Sequence, residues 1–145
     1  MRPDEVAGCE AVRQCIARYA HAVDHGRFDD AARCFADDGV LDVRGSGRHE
    51  GRAAIASVFA VANEKLTSTS TSAFVRHHVS SIAIEVDVTA GRASAVSYFF
   101  AVTDVGPDHW GAYRDSLARD DASGQWLFTE RKVTVEGRTG PSRMT

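Results

Sequence analysis

Two short segments hold residue types that can move protons. Tyr19-Ala20-His21-Ala22-Val23-Asp24 offers a phenol, an imidazole and a carboxylate, and Arg76-His77-His78-Val79-Ser80 offers two more imidazoles. A carboxylate bonded to one ring nitrogen of a histidine fixes its tautomer and stabilises its protonated form, which makes the two a general acid–base dyad. Asp24 and one histidine of the second segment suit that role. Asp24 can also be read as a solvated acid ending a helix. An acid in the last turn faces the negative end of the helix dipole, however, so it needs a compensating partner such as an imidazolium. Tyr19 reads either as a core aromatic or as a hydrogen-bond donor to a carbonyl or enolate oxygen.

Other chemistries find less support. His77 and His78 are neighbours on a strand-like run, so they point to opposite faces and cannot chelate one metal together. Alternation with Ile82, Ile84 and Val86 puts His78 on the core side. His21 and His25 have i, i+4 spacing, but they lie on the polar side of their helix with no third ligand. The chain has no glycine-rich phosphate loop, no dinucleotide fingerprint and no base-bearing context for a cysteine. We therefore expect no metal and no cofactor.

The elements that must position these groups can be read along the chain. Apolar residues Cys9, Val12, Ile16, Tyr19, Ala20 and Val23 recur at helical spacing, and Gly26 follows as a stop. A short helix over Phe28–Phe35 and a turn at Asp37-Asp38-Gly39 lead into a strand, Val40–Val43. Gly45-Ser46-Gly47 is hairpin chemistry, and a third helix is expected over Arg52–Lys65. Thr67–Ser72 is all Ser and Thr, which predicts a polar, mobile connection. Four strand-like segments follow, Ala73–Val88, Arg92–Val105, His109–Arg119 and Trp126–Glu136, joined by turns rich in Gly, Pro and Asp. Helices first and strands afterwards predict an α+β architecture with an antiparallel meander. One domain over residues 1–136 with a tail at 137–145 is expected.

Composition bounds the rest. The 145 residues are 43% hydrophobic and 26% charged, ordinary for a globular domain large enough to bury a core. A net charge of -3 argues against nucleic acid. No apolar run approaches the roughly 20 residues of a membrane helix, and no signal-peptide core follows Met1. Three cysteines without CxxC spacing suggest reduced thiols in a cytoplasm. Lysine is nearly absent (Lys65 and Lys132 only) beside many arginines, a bias of GC-rich bacterial genomes.

This ordered set resembles the SnoaL-like branch of the nuclear-transport-factor-2-like superfamily. The resemblance rests on Tyr19-x4-Asp24, the acidic turn Phe35-Ala36-Asp37-Asp38, Gly47-x3-Gly51-Arg52-x2-Ile55, the Arg76-His77 strand, and Gly124-Gln125-Trp126 before the last strand. It implies a cone-shaped α+β barrel, with the N-terminal helices packed in a curved antiparallel sheet around a deep pocket. It also implies the cofactor-free proton chemistry of scytalone dehydratase, bile acid dehydratase, hexachlorocyclohexane dehydrochlorinase and polyketide cyclases. It favours His77 over His78 as the pocket histidine, and a bulge near Ser80-Ser81 would reconcile that with the alternation.

The leading expectation is a dehydratase-type lyase acting on a small, largely apolar, carbonyl-bearing metabolite, with Asp24, His77 and Tyr19 catalytic. His78, Tyr98, Tyr113 and Arg131 are candidates to line the cavity. Some dehydratases carry a further acid on the next strand, where this chain has Tyr98-Phe99-Phe100-Ala101. That departure keeps an isomerase or polyketide cyclase open. A non-catalytic binding or small-subunit module of the same fold is the rival from another class. Both alternating sets of Arg92–Val105 are apolar, and a strand apolar on both sides is covered on both, so a homodimer is expected.

Overall fold

In the computed structural model, which describes residues 1–145, the chain runs through three helices and six strands. Helix α1 (Pro3–Asp24) opens with Pro3, whose missing amide costs nothing in a first turn, and with Asp4 and Glu5 at the positive end of the dipole. The Glu5 carboxylate accepts the Arg2 amide at 2.8 Å. Cys9, Val12, Ile16 and Tyr19 form its buried stripe. Then come α2 (Phe28–Ala32), β1 (Phe35–Val43), β2 (Gly47–Glu50) and α3 (Arg52–Thr69). The long strands are β3 (Val75–Asp87), β4 (Arg92–Thr103), β5 (Gly106–Arg119) and β6 (Trp126–Arg138).

The sheet order is β2-β1-β6-β5-β4-β3. Here the expected cone-shaped barrel and purely antiparallel sheet need correction. The sheet is open, with β2 and β3 as free edges, and is neither closed nor strongly curled. Closure would require β2 to pair with β3, and β2 is only four residues long. The sheet is also mixed, because β1 and β6 run parallel. The chain leaves the β1–β2 hairpin through α3 and reaches the far edge. The β3–β6 meander then walks back until its last strand lies beside the first.

Smaller expectations shift as well. Phe35 begins β1 and does not end α2, and β5 starts at Gly106. The Ser/Thr stretch is helical as far as Thr69. The hydroxyls of Thr67, Ser68 and Thr69 donate to the carbonyls of Asn63, Lys65 and Leu66, which satisfies these side chains within the last turn.

The main core lies between helices and sheet, with Val12, Cys15, Phe35, Ile55 and Phe128 fully buried. Each large apolar side chain there contributes roughly 1.5–3 kcal/mol. A second, smaller cluster joins Leu66, Val75 and Ala101, with Met144 packed against it. On the opposite face of the sheet Val96, Tyr98, Phe100 and Trp110 are exposed. No helix is long and apolar enough to cross a membrane.

Candidate active site

Strand irregularities aim the chemistry. Between Ser80 and Ala83 the pairing of β3 with β4 slips, and Ser81 takes φ 52°. Beyond the slip Ile82, Ile84 and Val86 pack on the core. Before it, Val75, His77 and Val79 do so. The bulge reverses the parity, so His77 turns inward and His78 outward. His78 is exposed and stacks on Phe100 at 4.7 Å.

Asp24, at the last position of α1, meets His77 with both oxygens. Its Oδ1 lies 2.6 Å from the ring Nδ1, and its Oδ2 accepts the His77 amide at 2.8 Å. A carboxylate only accepts, so Nδ1 carries the hydrogen, and in the neutral ring Nε2 keeps its lone pair. The two donors also offset the unfavourable placement of an acid at a helix C-terminus. Both side chains are nearly buried, at 10% and 6% exposure.

A second pair stands opposite. Val102 pairs with Pro107 and Ala101 with His109, which leaves Asp108 as an extra, bulged residue on β5. The bulge lets two adjacent residues face inward, and both are buried. Asp108 Oδ2 accepts His109 Nδ1 at 2.7 Å. The rings of His77 and His109 are 6.0 Å apart and roughly perpendicular. Burial lowers the His109 pKa against the pull of Asp108, and His77 adds to the lowering. Burial would raise the Asp108 carboxyl, but the Arg143 amide, His109 and the Ser142 hydroxyl together hold it below its ordinary value.

Both histidines line a cavity of about 150 Å³ whose remaining lining is apolar or aromatic: Tyr19, Val23, Leu41, Val43, Val58, Phe59, Ala62, Phe99, Tyr113, Val133, Val135 and Met144. Neither Nε2 has a protein partner. Tyr19 sits edge-on to Phe35, Phe59, Tyr113 and Phe128. Burial pushes its hydroxyl up to about 12, so it remains a donor, and raises Tyr113 as well. Arg131 lies beneath, its side chain 0% exposed, holding Asp115 through Nε and Nη2 at 2.7 and 2.8 Å. Tyr98 stands on the outer face, 62% exposed.

Of the residues singled out from the sequence, Asp24, His77, Tyr19 and Tyr113 are thus brought together, and Arg131 underlies them. His78 and Tyr98 are not. His109 and Asp108 were missed. His109 shares parity with Tyr113 and Asp115, which was the available signal; Asp108 read as a turn residue. No group of three or more His, Cys, Asp or Glu side chains is set to hold a metal. A wider groove of about 580 Å³ between α1 and α2, with Arg18, Arg27 and Arg33 along it, contains no such acid–base pair.

An open mixed sheet, three helices over one face and a buried Asp–His pair in an apolar cavity define the SnoaL-like, nuclear-transport-factor-2-like class. The chain belongs to the SnoaL-like domain family, whose pattern matches residues 4–132. It is 28% identical to a Catenulispora acidiphila protein solved in complex with S-DNPA, over 90% of this chain and 95% of that one, with a TM-score of 0.77. It is 23% identical to ActVI-ORFA from Streptomyces coelicolor, over 88% and 96%, with a TM-score of 0.74. It is 20% identical to a Novosphingobium aromaticivorans protein whose name proposes a scytalone dehydratase, over 96% and 91%, with a TM-score of 0.80. The last two likenesses are of fold. No curated protein matches the chain.

Proposed function

We propose that this protein is a cofactor-independent acid–base enzyme, a dehydratase-type lyase for a small, largely apolar, carbonyl-bearing metabolite. The observation that carries this reading is the Asp24–His77 pair, in which Nε2 has no protein partner and the histidine lines an apolar cavity. In the reaction Nε2 of His77 takes a proton from the carbon beside the carbonyl, and the electron pair moves toward the carbonyl oxygen. Tyr19 donates to that oxygen. Asp24 holds the resulting imidazolium. As the carbonyl re-forms, the β-hydroxyl departs with the proton from His77 and leaves as water. His109, kept neutral by burial, accepts a hydrogen bond from that hydroxyl and holds it in place.

A second reading is isomerisation or cyclisation. It is favoured by the inward positions of β4 near His77, which are Phe99 and Ala101 and offer no further acid. The test begins with native mass spectrometry of the protein exposed to extracted metabolites, followed by turnover of whatever binds. His77→Gln and Asp24→Asn should each lower turnover by roughly 10²–10⁴-fold while circular dichroism stays unchanged. Full turnover in His77→Gln would overturn the dyad. Binding without turnover in the wild type would favour a non-catalytic module.

We further propose a homodimer formed sheet to sheet, since Val96, Tyr98, Phe100 and Trp110 make a contiguous apolar outer patch. Light scattering at micromolar concentration should give twice the chain mass of 15.7 kDa; a monomer there defeats the assembly.

A further inference from the structure

Asp108 serves two masters in the fold. It is 2% exposed, and one carboxylate accepts from three donors: His109 Nδ1 at 2.7 Å, the Ser142 hydroxyl at 2.8 Å and the Arg143 amide at 2.6 Å. Its backbone carbonyl accepts the Thr139 amide at 2.9 Å. The Arg143 guanidinium reaches Asp104 at 2.9 Å, on the turn before β5. So the residues after β6 do not trail away. They are bolted across the start of β5, and the bolt puts Met144 into the cavity wall beside His77 and His109.

The geometry points to Asp108 as a positioning residue that couples His109 to the closure of a strap formed by residues 139–145. With the strap docked, Asp108 divides its acceptor capacity among three donors, and Met144 keeps water from the ring. His109 then stays neutral, with Nε2 free to accept. With the strap lifted, Asp108 loses the Ser142 and Arg143 donors and becomes a stronger acceptor for Nδ1–H. His109 also gains water. Both changes favour the imidazolium, whose Nε2–H cannot accept a hydrogen bond. With the strap docked the cavity holds about 150 Å³, below the roughly 300–1,000 Å³ usual for ligand pockets, so a substrate of ordinary size calls for Met144 and the strap to move aside.

The charged and titratable groups around His109 are few. Asp108 comes from its own strand, His77 from β3 with Asp24 behind it, Arg138 from β6, and Arg143 from the strap. The His77 and Arg138 charges both oppose protonation of His109, and Asp108 favours it.

The consequence for turnover rests on the acid–base reading above, but the coupling does not, and it is tested without substrate. The full chain labelled in histidine is titrated by NMR, with His77 and His109 assigned from His77→Gln and His109→Gln. In the wild type His109 should titrate below the ordinary value of about 6.5. Truncation after Arg138, and separately the double change Ser142→Ala with Met144→Ala in the full chain, should move His109 upward by about half a pH unit or more. His77 should move less than His109. Asp108→Asn should move His109 downward, because a neutral amide no longer favours the charged ring. An unmoved His109 in the double variant, or equal movement of both histidines, would overturn the coupling even if the truncated chain fails to fold. Loss of turnover in His77→Gln bears only on the earlier reading, so the two can fail separately.

Discussion

Two kinds of paired charge lie on the inner face of this sheet. The Arg131–Asp115 ion pair is sealed, both side chains 0% exposed. The guanidinium stands over the rings of Tyr113, Tyr19 and Phe128 at 3.8, 4.4 and 4.4 Å. Burial works against its charge, but Asp115 outweighs that and keeps the arginine more basic than usual. The Asp–His pairs lie a short way along the same face, yet each leaves one ring nitrogen unclaimed at a cavity. A pair with no route to water or ligand cannot exchange protons, however charged it is. A histidine pair with one free nitrogen can. Arg131, a candidate to line the cavity by its place on a strand, is instead the support on which Tyr19 and Tyr113 rest.

The sharpest way to break this comparison is to truncate one member on each side. Arg131→Ala strands the Asp115 carboxylate in the core and should cost about 3–5 kcal/mol of stability in urea denaturation. His77→Ala leaves the backbone amide at position 77 donating to Asp24, so it should cost less, about 1–3 kcal/mol for the one ring hydrogen bond unmade. Equal costs would mean that the histidine pair is as structural as the ion pair.

A gentler probe is pH. His109 is held neutral in the fold, so its folded pKa lies below its unfolded value near 6.5. As pH falls through that unfolded value, the unfolded chain binds a proton that the folded protein resists. Stability drops by at most about 1.4 kcal/mol per pH unit and levels off once pH passes below the folded pKa. Asp108 has the opposite displacement relative to its charge. Its carboxylate form is favoured by folding, so its contribution is full above about pH 4 and is lost as pH falls through its lowered folded pKa. Denaturation at pH 8, 6.5 and 5 should show the first effect, and His109→Phe should flatten it.

Much of the frame was legible along the chain. Helical spacing marked α1 and α3, turn residues separated the four long strands, and the ordered motifs pointed to the family that the chain proves to belong to. Asp24 could be singled out because an acid at the end of an apolar helix calls for a partner. The openness of the sheet could not be read in the same way. It depends on whether β2 meets β3, a question of edge pairing that leaves no local pattern. The parallel β1–β6 contact is equally silent in the sequence, since it joins residues from opposite ends of the chain.

Local sequence determined what each segment could become, because propensity, capping and apolar period act over a few residues. It supplied a carboxylate, three inward-capable histidines and a short C-terminal stretch. Which of them meet was decided by bulges. A one-residue slip in pairing turns a side chain to the other face, and such a slip is set by the partner strand as much as by its own residues. The slip at Ser80–Ala83 chose His77 over His78, and the extra residue in β5 brought Asp108 inward beside His109. Only the assembled sheet could then place residues 139–145 over Asp108, because those hydrogen bonds join positions more than thirty residues apart.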